Sequence, residues 1–263
     1  MHQLLYKVAF SIEDGDHLVF VGDLINKGPN SGAVVDLAKE SSASCVRGNN
    51  EDRILLLRRQ MVESGTLKSN DTEEFSSEKE LRERAVARSL SDEQVQWLEQ
   101  CPVMLKIDSV PGMGQVVVAH AGIVPGVDLE KQDPSMVMNM RTMDLKTHVP
   151  SSSRKGTQWA KVCTSFSLLI QSQANLCQMF DKHQSMLYNT LEKSTDDPRA
   201  GTTTVVYGHD AKVGLNIRTF TKGLDSGCVD GGKLTALVIE EGGKERVIQV
   251  SCRKYTKGGK GKS

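Results

Sequence analysis

HLVFVGDLINKGPN, residues 17–30, decides the fold class. Leu18, Val19, Phe20 and Val21 form a continuous apolar run, which suits a strand buried in a sheet over residues 17–21. Gly22 and Asp23 end it, and the Gly and Pro content through Pro29 makes the next residues a loop. Ser31 is placed to cap a helix carrying Val34, Val35, Leu37 and Ala38. The same order then repeats. A short strand around Ser44–Arg47 ends in Gly48-Asn49-Asn50-Glu51, and a helix carrying Ile54 to Leu57 follows. Strand, loop and helix in alternation predict an α/β protein.

Working outward, residues 2–10 read as an amphipathic helix with Leu4, Leu5 and Val8 on one face, and residues 13–16 as a turn. Residues 62–80 are polar, a long excursion. Ser91-Asp92-Glu93-Gln94 is a capping box for a helix containing Trp97 and Leu98, which Pro102 ends. Strands over residues 103–107 and 115–119 are joined by Pro111-Gly112-Met113-Gly114, and the second runs into His120. Residues 164–195 fit helices by a weak polarity pattern. A strand over residues 202–207 leads to Gly208-His209-Asp210. Asp230-Gly231-Gly232 is expected to turn the chain between Cys228-Val229 and a strand over residues 234–240. The chain is expected to form one domain over residues 1–250, with an insertion at 163–198 and a flexible basic tail at 251–263.

The composition of the 263 residues, 38% hydrophobic and 25% charged, excludes collagen-like and wholly disordered readings. Thirty-three basic and thirty-three acidic residues cancel, so no net field advertises nucleic acid or a membrane surface. Ile54-Leu55-Leu56-Leu57 is the longest aliphatic run, far short of the ~20 residues of a spanning helix. The opening MHQLLYKVAF lacks the apolar core of a signal peptide. Six cysteines show neither a C-x-x-C pair nor zinc-finger spacing, and are expected to be reduced thiols in a cytoplasmic protein.

Four times an apolar run is followed, at or just past its carboxyl end, by a residue able to bind metal. The four are Asp23, Asn49, His120 and His209. Ligands of α/β sheets gather outside the carboxyl ends of strands, so adjoining strands would bring these side chains to one point. Mixed oxygen and imidazole donors suit zinc, manganese or iron rather than calcium. Singly, each has a plainer reading: a turn aspartate, a left-handed asparagine, a satisfied buried histidine. The recurrence at strand ends favours a shared site.

These segments resemble the motifs of calcineurin-like metallophosphoesterases. GDLINKGPNS is similar to the family's GDxxxRG, RGNNED to GNHE, VVVAHAGIVPG to the third motif and VVYGHDAKVGL to the GH motif. GLDSGCVDGGKLTAL resembles the branch of symmetrical diadenosine tetraphosphatases and fungal endopolyphosphatases. The resemblance covers residues 4–61, 101–162 and 200–241. It implies a four-layer αββα sandwich and a centre of two divalent metal ions, Mn, Zn or Fe. Asp23 would bridge both ions, and Asn49, His120 and His209 would complete the second. Lys27 would bind phosphate where the family has arginine, and Arg141 is a further substrate-binding candidate. Asn50 takes the place of the family's catalytic histidine, the proton donor. The family's opening strand and GDxHG motif have no counterpart, so the chain reads as N-terminally truncated, with at most one ion expected. The function implied is metal-dependent hydrolysis of phosphoanhydride or phosphoester bonds in polyphosphate, dinucleoside polyphosphates or a phosphoprotein. The alternative is an impaired member acting as a phosphate-binding or scaffold protein. A vacuolar location would follow if an upstream segment carried an anchor.

Overall fold

The computed structural model describes residues 1–68, 77–160 and 202–255. The expected insertion at 163–198, the weakly patterned 164–195 stretch, Cys163, Cys177 and the end of the basic tail lie outside the described residues.

Helix α1 (His2–Val8) leads to β1 (Val19–Phe20), α2 (Ser31–Glu40), β2 (Ser44–Cys45) and α3 (Asn49–Glu63). Helices α4 (Glu78–Ser89) and α5 (Asp92–Glu99) precede the antiparallel pair β3 (Met104–Val110) and β4 (Gly114–Ala119). After α6 (Pro134–Asn139) comes a small sheet of β5 (Thr142–Met143), β6 (Pro150–Ser151) and β7 (Thr157–Gln158). The chain continues with β8 (Thr203–Tyr207), β9 (Asn216–Ile217), β10 (Thr221–Gly223) and the hairpin of β11 (Lys233–Ile239) and β12 (Glu245–Ser251). The five-stranded sheet has the order β3-β4-β8-β10-β9, with β4, β8 and β10 parallel. Strands β1 and β2 form a separate parallel pair.

Side-chain alternation stacks these elements in four layers. Along β4 and β8, Val116, Val118 and Val206 face one way and pack with Val46, Val19, Val21 and Leu237, joining the large sheet to β1, β2 and β11. Val117, Ala119, Val205 and Tyr207 face the other way onto Val137, Met140, Met143 and Trp159 of α6 and the small sheet. Phe20 and Cys45 cover the outer face of the β1–β2 pair with Ala38 of α2 and Trp97 of α5. The succession is helix, sheet, sheet, helix. Contiguous apolar runs were needed because the two inner sheets are covered on both faces.

Four expectations need correction. The first strand spans Val19–Phe20 rather than 17–21, and past its carboxyl end the Val21 carbonyl accepts from the His120 ring. Asn30, not Ser31, caps α2: its side chain accepts from the Ala33 amide, while the Ser31 hydroxyl accepts from the Asn26 amide. Cys228 and Val229 lie in a 3-10 turn, and the partner of β11 is β12. Finally, Cys45–Cys101 and Cys228–Cys252 are disulfides, with Cα atoms 5.2 Å and 5.1 Å apart. Partners 56 and 24 residues apart leave no signature in local spacing. Among the described residues no helix is long and apolar enough to cross a membrane.

Candidate metal centre

His120 follows β4 directly, and its ring is oriented by the backbone of a different strand. Nδ1 donates to the Val21 carbonyl at 2.8 Å, which leaves Nε2 with its lone pair in the neutral ring. Nε2 faces Asn49 Oδ1 at 3.1 Å, His209 Nδ1 at 3.1 Å and Asp23 Oδ1 at 3.2 Å. One proton at most can sit between the two rings, so the carboxylate and amide oxygens confront a third lone pair. A cation resolves that arrangement. Tetrahedral zinc with ligands at about 2.0–2.1 Å separates neighbouring donors by about 3.3 Å, close to the spacings here. The donor set therefore fits a zinc-like ion, and the bond from Nδ1 to Val21 is the outer support such histidines require. Among the described residues, Asp23, His120 and His209 offer donor atoms within 4.8 Å of one another.

Two glycines allow the approach. Gly22, at φ 84°, would place a Cβ 2.7 Å from His120 Nδ1 and 2.8 Å from the Gly48 nitrogen. A Cβ on Gly48 would lie 2.5 Å from Asp23 Oδ1. Asp23 itself is left-handed, with φ 57°, and His209 likewise, with φ 72°. Such backbone costs about 1–3 kcal/mol per residue and persists where surrounding bonds dictate it. Around Asp23, Glu51 supplies them: fully buried, it accepts from the amides of Asp23 at 2.7 Å, Gly48 at 2.9 Å and Ile25 at 3.1 Å. Burial, and then the charge of Asp23, raise the Glu51 pKa, and the His120 ring with the amides of Asp23 and Ile25 opposes them only in part. Asp23 Oδ1 in turn accepts from the Asn50 amide at the start of α3.

His209 stands just beyond β8, which the bond from the Gly208 amide to the His120 carbonyl ties to the end of β4. Burial pushes its pKa down to about 2, with His120, Arg141 and Lys27 adding to the shift. It is neutral in the working range and able to give a lone pair. The rings of His120 and His209 meet edge to face, centroids 4.9 Å apart.

The structure thus brings Asp23, Asn49, His120 and His209 together, with Lys27 at the rim, its Nζ 3.9 Å from Asp23 Oδ2. Arg141 is near enough for its charge to act on His209. Asn50 is buried. Its side-chain oxygen accepts from Asn26 Nδ2 at 3.3 Å, and its own Nδ2 has no partner. Sequence reasoning passed over Glu51, which touches the site only through backbone amides. It also missed Asp225, just past β10, whose pKa burial raises and whose charge couples to Asp23 and His120. The strand-then-polar pattern extends to Asp225, but Thr221-Lys222-Gly223 has no apolar run to flag it.

Residues 2–213 match the model of the calcineurin-like phosphoesterase family. The zinc-dependent endopolyphosphatase of Saccharomyces cerevisiae is 28% identical, the alignment covering 89% of this chain and 72% of the relative. A symmetrical bis(5'-nucleosyl)-tetraphosphatase of Nitrosospira multiformis is also 28% identical, over 95% and 90% of the two chains. Among solved structures, a candidate diadenosine tetraphosphatase superposes with a TM-score of 0.66 at 29% identity, covering 95% of this chain and 86% of that one.

Proposed function

Because this chain belongs to the calcineurin-like phosphoesterase family, we propose that it hydrolyses phosphoanhydride bonds of polyphosphate or dinucleoside polyphosphates with a divalent metal held by Asp23, Asn49, His120 and His209. The observation that carries the proposal is the convergence of three donor atoms on His120 Nε2 at 3.1–3.2 Å, beside the cations Lys27 and Arg141. Bound there, the metal would supply a hydroxide nucleophile at neutral pH and offset charge on the phosphoryl group.

The chain's own residues do the rest. Val21 fixes the His120 tautomer through Nδ1. Lys27, half-exposed on its loop, meets a phosphate oxygen as a point charge. Arg141, whose charge acts on His209, adds a second fixed positive charge for the phosphoryl oxygens. Asn50 offers its unpartnered Nδ2 as a hydrogen-bond donor. An amide has no proton to release, which favours leaving groups that need none, and phosphoanhydrides provide them. The named relatives act on phosphoanhydrides, and the proposal is confined to that class. It includes one ion at this cluster and, from the two disulfides, an oxidising compartment in place of the cytoplasm.

The test is an assay of the purified chain with added zinc or manganese on polyphosphate, a dinucleoside tetraphosphate and an alkyl phosphate. Release of phosphate or nucleotide from the first two, lost in Asp23→Ala and slow on the third, is expected. Turnover that survives both chelation and Asp23→Ala would overturn it.

A further inference from the structure

Asp210 follows His209 directly, and two arginines claim its carboxylate. Arg154 reaches Oδ1 through Nη2 at 2.9 Å and Nε at 3.2 Å. Arg141 Nε stands 3.8 Å from Oδ2, while its Nη1 donates to the Ser152 carbonyl at 2.9 Å. The Arg141 Nε is buried and makes no hydrogen bond. Burial, and then the neighbouring Arg154, lower the pKa of Arg141. Two guanidiniums share one carboxylate, which leaves positive charge over.

Their placement is graded. Arg141 feels the charges of both Asp210 and Asp23, so it lies within electrostatic reach of the metal-ligating group. Arg154 is farther out, on the loop between β6 and β7, with 47% of its side chain exposed. Cationic groups therefore run from the His209 side of the centre toward solvent. We propose that Arg154, with Arg141 and Asp210, forms a second phosphate subsite that selects substrates carrying a further phosphate beside the one at the metal centre. The inference rests on the phosphohydrolase reading above and deepens it. Asp210 holds the fork of Arg154 until a phosphate displaces it, since carboxylate and phosphate fit the same planar pair of N–H donors. A lone orthophosphate or a phosphomonoester occupies the centre, leaves the Arg154–Asp210 pair closed and gains nothing from it.

The experiment is calorimetric titration of methylene-bridged, non-hydrolysable tripolyphosphate and of orthophosphate into the zinc-loaded full chain, where no turnover intervenes. Arg154→Gln is expected to weaken tripolyphosphate binding about tenfold, the worth of one charge-assisted contact, and orthophosphate binding less than about twofold. Arg154→Lys should fall between, keeping the charge but not the fork. Asp210→Asn should tighten tripolyphosphate binding, because it releases the guanidinium. Equal losses for the two anions in Arg154→Gln, or weaker tripolyphosphate binding in Asp210→Asn, would overturn the subsite. If the binding contrast holds while the metal-loaded chain cleaves no phosphoanhydride, the subsite stands and the catalytic reading falls.

Discussion

Replacing Gly22 with alanine should damage both the fold and the metal centre, and two other glycines separate the causes. Gly28 has open space where a Cβ would go, and its φ is not left-handed. Gly15 is equally open but sits at φ 87°. Gly22 combines φ 84° with a Cβ 2.7 Å from His120 Nδ1 and 2.8–2.9 Å from the Gly48 backbone. Gly28→Ala should therefore stay within about 0.5 kcal/mol of the parent. Gly15→Ala should lose about 1–2 kcal/mol, the cost of a left-handed side chain. Gly22→Ala adds the displacement of the His120 ring from the Val21 carbonyl, about 1–3 kcal/mol for a buried bond left unmade. The total is about 3 kcal/mol, which at this chain length lowers Tm by about 6–12 °C. Because the bond to Val21 aims Nε2, zinc affinity should also drop about 10–100-fold in Gly22→Ala and stay unchanged in the other two. Thermal melts and competitive zinc titrations of the three variants measure both effects. A Gly22→Ala protein no less stable than Gly15→Ala, with parental zinc affinity, would show that Gly22 does not set the His120 ring.

Other outcomes follow from the same contacts. Alanine at Asp23, His120 or His209 should abolish retention of the single ion through dialysis, measured by elemental analysis. Two ions retained per parent chain would contradict the count proposed for this cluster. Acid should destabilise the metal-free protein through His209, whose folded pKa of about 2 lies below its ordinary 6.5. The unfolded chain binds the extra proton in that window, so stability falls by up to about 1.4 kcal/mol per pH unit as pH drops below 6.5. Urea melts at pH 7 and pH 5 should show a smaller loss in His209→Gln than in the parent, and equal losses would count against the buried neutral ring. Reducing both disulfides, or replacing Cys45 and Cys101 with serine, should cost about 2–4 kcal/mol per bridge. An unchanged denaturation midpoint would mean that the bridges do not form in solution.

What the sequence disclosed follows from how its signals are built. Strand ends were legible because each apolar run stops at a polar residue, and the packing of Val116 and Val118 against one layer and Val117 and Ala119 against another shows why those runs have no polar face. Asp23, Asn49, His120 and His209 could be grouped because each marks such an end. The parts that stayed hidden depend on tertiary partners. Cys45 and Cys101 pair across 56 residues. Glu51 reads as an ordinary first-turn acid of a helix, yet it is buried to hold three amides of the site. Arg154 lies in a serine-rich loop with nothing nearby in sequence to suggest Asp210, 56 residues on. Strand β12 went unread because it depends on pairing with β11, which the expected turn had assigned to Cys228 and Val229.

A crystal structure of the chain grown with zinc, with anomalous scattering recorded on both sides of the zinc absorption edge, tests the metal centre directly. A strong peak is expected about 2.0–2.1 Å from both His120 Nε2 and His209 Nδ1, with the Asp23 and Asn49 oxygens at about 2.0–2.2 Å. A zinc-saturated crystal with no peak among these four side chains, or with its ion bound elsewhere while His120 still faces Asn49 and His209 directly, would contradict it.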